Sequence, residues 1–152
     1  MIETTIVAEN LLNALEETVS RLRTVKPERA AARPSPDVWS AQEVLGHLLD
    51  SATNNHQRFI RAQQEDSLKF PGYAQDFWMN SQNYSESDWD ELLELWYLYN
   101  RHLARVIRRI PADRLDTTCT IGNSKPVTLR FLVEDYLPHM QHHLEQIYKR
   151  SS

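Results

Sequence analysis

Six histidines are spread over the 152-residue chain, and three of them, His139, His142 and His143, fall within five residues. His139 and His143 are four residues apart, so on a helix they lie one above the other on a single face. Two neutral imidazoles in that register can share one divalent ion, because each offers a nitrogen lone pair and the helix fixes the distance between them. His142 is rotated by about 100° from His143 and points elsewhere. Such a pair also fits two half-buried histidines with no ligand, so a third imidazole from another element decides between the readings. His47 is the one whose helix offers it.

The elements that would position these residues follow from apolar spacing. Leu11, Leu12, Leu15, Val19 and Leu22 mark one face of a first helix over about Thr5–Val25. Pro27, Pro34 and Pro36 make Lys26–Asp37 a non-helical connection. Ser40-Ala-Gln-Glu43 is a capping box with Trp39 before it as a hydrophobic staple, and the second helix runs from there to about Gln64. Val44, Leu45, Leu48 and Ile60 anchor it. Asp50, Ser51, Asn54 and Arg58 follow His47 down its face as a polar stripe, which either lines a cavity or is simply solvated.

Glu65–Glu86 is a long connection rich in aromatic residues, and connections of that length in bundles are often functional. Tyr73, Phe77 and Trp78 are candidate walls of a pocket, with plugging of the bundle end as the alternative. Asn54 and Arg58 are its candidate polar contacts, since a guanidinium fork matches a carboxylate. A surface ion pair would equally occupy Arg58. Ser87-Asp-Trp-Asp90 repeats the cap pattern and starts a third helix that reaches Arg109. Its buried stripe runs through Trp89, Leu92, Leu93, Trp96, Leu103, Val106 and Ile107. Pro111–Val127 is a second long connection, with a strand-like piece near Thr117–Ile121 and a single cysteine, Cys119, that reads as a small buried filler. Thr128 caps a fourth helix reaching about Lys149. Pro138 inside it removes one backbone hydrogen bond, which predicts a bend immediately before His139.

Four helices with inward apolar faces predict an all-α four-helix bundle occupying residues 1–152 as one domain. Only three glycines and a plentiful supply of Leu, Glu and Arg agree with it. A net charge of −4 argues against a nucleic-acid partner. No apolar run approaches the ~20 residues of a membrane helix. The N-terminal residues lack the pattern of a signal peptide, and one cysteine allows no internal disulfide. The expectation is a cytoplasmic protein. In a bundle His47 can face His139 and His143, and three imidazoles plus solvent suit zinc, nickel or iron(II).

Trp39-Ser-Ala-Gln-Glu-Val-Leu-Gly-His47-Leu-Leu-Asp50, with His139-Met-Gln-His-His143-Leu-Glu-Gln146 far downstream, resembles the DinB-like superfamily, which includes YfiT-like metal-dependent hydrolases. The resemblance implies a four-helix bundle with a long crossover, a metal held by His47, His139 and His143, and homodimers. It also implies a small-molecule substrate, with a low-molecular-weight thiol such as bacillithiol, mycothiol or glutathione, or water, activated for transfer or hydrolysis. A non-catalytic metal-binding stress-response or interaction protein is the alternative. Members commonly carry Gly before the final Gln of the motif, where this chain has Glu145, so no particular substrate or catalytic residue follows. Trp96 and Tyr99 are the expected apolar surface of the dimer.

Overall fold

A computed structural model describes residues 3–152. Four long helices form the bundle: α1 (Glu3–Leu22), α3 (Ala41–Gln64), α5 (Trp89–Arg108) and α6 (Leu129–Ser151). Between α1 and α3 lies a short helix, α2 (Pro27–Ala31), where the three prolines predict none. Pro27 sits in its first turn, where the missing N–H is no loss, so the residue that predicts a break opens a helix instead. α1 packs on α5, and α3 packs on both α5 and α6.

The helix starts are set by side-chain caps. Ser40 Oγ accepts from Glu43 N at 3.1 Å while Glu43 Oε1 accepts from Ser40 N at 3.1 Å. Arg33 clamps the same carboxylate with two bonds, at 2.8 and 2.6 Å. Asp88, rather than Ser87, caps α5, and Thr128 caps α6. The inward faces fill the centre with Leu11, Leu15, Leu45, Trp89, Leu103 and Ile107. Phe59, not Ile60, anchors the second half of α3: Phe59 is fully buried and Ile60 is 44% exposed. The one-residue difference reflects a helical phase that the polar stripe had blurred. Trp96 is fully buried, as the stripe of α5 predicts, because α5 is sandwiched between α1 and α3, and it is therefore not available as dimer surface. α6 runs without interruption through Pro138.

The two long connections are joined to each other. The crossover between α3 and α5 holds strand β1 (Ser67–Phe70), helix α4 (Gln75–Gln82) and a single helical turn at Tyr84–Glu86. The connection before α6 holds a helical turn, Ala112–Arg114, then β2 (Thr118–Ile121) and β3 (Val127–Thr128). β1 pairs in parallel with β2, Leu68 opposite Cys119, and β2 pairs antiparallel with β3. Gly122, at φ +56°, turns the chain after β2, and its N–H donates to the Phe70 carbonyl at 2.8 Å. This small sheet braces the crossover against the start of α6. No described helix is long and apolar enough to cross a membrane.

Candidate metal centre

α3 and α6 run antiparallel where they meet. His47 faces His139 and His143, and twelve residues further along α3 Phe59 meets Tyr136, ring centroids 6.0 Å apart. The His47 ring lies 4.8 Å from that of His143 and 6.4 Å from that of His139, and the two α6 rings are 4.8 Å apart. One potential ligand nitrogen from each of the three falls within 4.8 Å of the other two. The spacing argument for α6 and the capping-box register of α3 thus converge on one point.

The three imidazoles sit in graded environments. His47 is buried, His143 half-buried and His139 exposed. Burial, aided by His143 and His139, pulls the His47 pKa from 6.5 down to about 4, so the ring is neutral at physiological pH. Although His139 is exposed at its outer surface, desolvation by the protein atoms around its ring and the nearby His143 also lower its pKa, against the opposing charge of Asp135 one turn earlier. His143 Nδ1 lies 3.1 Å from Gln146 Oε1. An amide oxygen only accepts, so Nδ1 carries the proton and Nε2 keeps its lone pair for a ligand. His47 Nδ1 is buried with no protein partner, an orphaned polar atom that coordination of the ring offers to satisfy. A neutral His47 ring, an oriented His143 tautomer and an orphaned nitrogen fit a divalent ion. Among the described residues no carboxylate or thiol joins the three as a fourth ligand.

A cleft of about 220 Å³ opens beside His139. Helix α6 supplies Leu132, Asp135 and Tyr136 to its lining, α3 supplies Ser51, Asn55 and Arg58, and the crossover supplies Tyr73. Of the candidate contact residues, Arg58 and Tyr73 line this cleft. Asn54 does not: it is buried, and its amide donates to the Asp50 carbonyl at 2.9 Å, leaving the cleft to Asn55. Trp78 packs on Tyr73 at 5.1 Å and stands behind it, while Phe77 is 69% exposed and away from the cleft. Helix α4 turns Phe77 outward, a phase that cannot be read from an unstructured loop.

Behind the site, Asp50 is buried and accepts from Tyr84 Oη at 2.6 Å and Gln82 Nε2 at 2.9 Å, with Oδ2 unpartnered. Burial raises its pKa against those two bonds. Tyr84 can approach only because position 46 is glycine, where an added Cβ would stand 2.2 Å from the Tyr84 ring. The crossover is thereby pinned to the first turns of α3. Three histidines lie outside the centre. His142 is exposed on α6. On the α5 side, His56 Nδ1 lies 2.6 Å from Tyr99 Oη, with the His102 ring 5.4 Å from that of His56. Cys119 is fully buried, and burial pushes its thiol pKa up, which leaves it an inert filler. The Gln146 contact escaped the sequence reading, although its three-residue spacing from His143 was a usable signal.

The fold has solved counterparts. YfiT from Bacillus subtilis, described as a probable metal-dependent hydrolase with an unusual four-helix bundle topology, superposes with a TM-score of 0.78 at 19% identity, covering 95% of this chain and 85% of its own. The DinB-like protein YjoA from Bacillus subtilis superposes with a TM-score of 0.65 at 16% identity, over 95% of this chain and 89% of its own. Among curated protein sequences none matches. The sequence profile of the DinB superfamily matches residues 10–147. With nearly the whole length matched, the chain belongs to the DinB superfamily.

Proposed function

We propose that this protein is a metal-dependent enzyme acting on a small molecule, with His47, His139 and His143 holding one divalent ion. The observation that carries the reading is the convergence of three imidazoles from two helices beside an open cleft, with no fourth protein ligand among the described residues. A closed structural zinc site would have four protein ligands, whereas a catalytic one keeps a position free. Zinc, nickel or iron suits a three-imidazole donor set. A divalent ion with an open position supplies a water or a low-molecular-weight thiol acidified enough to act as nucleophile.

The chain's own part is to prepare that position. Burial keeps His47 unprotonated, and Gln146 holds His143 in the tautomer that presents Nε2. Asp135, one turn before His139, opposes the lowering of that ring's pKa without cancelling it. Leu132 and Tyr136 give one side of the cleft an apolar and aromatic wall. Transfer of a thiol and hydrolysis share this apparatus and differ in which nucleophile enters. Exposed Leu95 and Leu98, at 51% and 54%, support a homodimer through the bundle helices. Sedimentation at micromolar concentration tests that assembly, and a monomer there removes it.

The test of function is elemental analysis of protein purified without a polyhistidine tag, followed by turnover assays pairing thiols or water with electrophilic substrates. We expect one divalent ion per chain and turnover that a chelator abolishes. A protein that binds the ion and turns over nothing in either assay would be a non-catalytic metal binder.

A further inference from the structure

The cleft beside His139 is small. Its volume of about 220 Å³ is below the roughly 300–1,000 Å³ of sites that take drug-sized ligands. One end is fixed by His139, the one member of the histidine cluster that lines it. The other is fixed by Arg58, eleven residues beyond His47 on the same helix, or roughly 16 Å along its axis at the rise of an α-helix. The two ends differ in kind, since one is an imidazole backed by two others and the other a cation.

Arg58 is half-buried, its Nε is shielded from solvent and bonded to nothing, and it forms no ion pair among the described residues. A guanidinium cannot shed its charge at physiological pH, so a shielded donor of this kind is costly until an acceptor arrives. The arginine is nonetheless placed: its Cζ lies 6.0 Å from the centre of the Phe70 ring, whose strand is held in the small sheet. Tyr73 lines the same cleft with its phenol raised in pKa by burial, hence neutral and able to donate. Asn55 Nδ2 is committed to the Ser51 carbonyl at 2.9 Å and reaches Ser51 Oγ at 3.3 Å, which leaves the Ser51 hydroxyl proton free. Asp135 is the one carboxylate in the lining, and it disfavours a dianion such as a phosphate.

We propose that the cleft takes a small molecule bearing a carboxylate, bound by Arg58 with Tyr73 as second donor, whose reactive end lies at the three histidines. A guanidinium fork grips a carboxylate with two parallel bonds, which fixes orientation as well as position. The reactive-end half of this assignment rests on the metal reading; the carboxylate half does not.

Two measurements on the full chain separate the halves. In metal-free, isotope-labelled protein, the Arg58 Nε–H resonance, assigned by its loss in Arg58→Gln, is titrated with hexanoate, methyl hexanoate and hexyl phosphate. We expect a saturable shift with hexanoate, none with the ester and a weaker response to the phosphate. In cobalt(II)-loaded protein, mercaptohexanoate with thiol and carboxylate at opposite ends is compared with its methyl ester through the thiolate-to-cobalt absorption band. We expect the acid to bind about tenfold more tightly or better, corresponding to about 1.4 kcal/mol, and the preference to vanish in Arg58→Gln with the band retained at saturation. Should Arg58→Gln fail to fold, Arg58→Lys keeps the charge, loses the fork and should lose most of the preference. An unmoved Arg58 resonance, equal binding of acid and ester, tighter binding of the phosphate, or a preference that survives either variant overturns the proposal. A shifted resonance with no cobalt band from either thiol would uphold the carboxylate site and overturn the metal reading instead.

Discussion

Gln146 carries no charge, yet it decides which nitrogen of His143 is available. Its amide oxygen at 3.1 Å requires the proton on Nδ1 and leaves Nε2 as the ligand atom. Partners of this sort commonly alter metal affinity by about 10–100-fold. Gln146→Leu should therefore weaken divalent-ion binding by about that factor in a competition titration, whereas Gln146→Glu, which still accepts, should not. An unchanged affinity in the leucine variant would show that the contact has no orienting role. The ligands themselves should behave more sharply. His143→Ala removes a ring that lies 4.8 Å from both of the others and should abolish binding of one ion per chain. His102→Ala should leave it intact, since that ring contacts His56 on the far side of α3. Elemental analysis after dialysis distinguishes the two, and retention of a full equivalent by His143→Ala would place the ion elsewhere.

At the scale of elements, the junction between α3 and the crossover is set by a missing side chain. Replacing a glycine by alanine inside a helix ordinarily stabilises by roughly 0.5–1 kcal/mol. At Gly46 the new Cβ would meet the Tyr84 ring at 2.2 Å, and Tyr84 also holds Asp50. The sign should therefore reverse, with Gly46→Ala costing about 1–3 kcal/mol in urea denaturation from overpacking. A stabilised Gly46→Ala protein would mean that Tyr84 yields freely. The four bundle helices were legible because long amphipathic periods and caps such as Ser40 and Thr128 are local signals. The histidine cluster was legible for the same reason, since a helix converts a spacing of four into one face. What stayed hidden depends on contacts distant in sequence. β1 becomes a strand only by pairing with β2 some fifty residues on, and Ser67-Leu-Lys-Phe70 is too short to announce itself. Without that pairing nothing fixes the phase of α4, so Phe77 and Trp78 could not be told apart. Asn54 and Asn55 were confused because both lie near the polar stripe, and only the packing of α6 shows which one borders the cleft.

At the scale of the whole molecule, the three histidines link folding, protons and metal. His47 titrates near 4 in the folded chain against an ordinary value of 6.5. Between those values the unfolded chain binds more protons than the folded one, so stability falls as pH is lowered through that window. His139 and His56, both lowered, act with the same sign. Asp50, raised by burial, acts oppositely: its contribution is lost as pH rises through its folded pKa. Metal-free protein should accordingly unfold at lower urea near pH 5 than near pH 7, and His47→Gln should flatten the difference. A divalent ion reverses the balance by binding the folded chain. At a hundredfold excess over its Kd it adds about 2.7 kcal/mol, which for a chain of this size is a rise in Tm of roughly 5–10 °C. Ligation needs unprotonated imidazoles, so the rise should shrink as the pH drops towards 5. His143→Ala should show none of it at either pH. Differential scanning calorimetry of both proteins, with and without the ion, measures this directly, and an equal rise in Tm for the His143→Ala protein would show that the ion stabilises the bundle from some place other than the junction of α3 and α6.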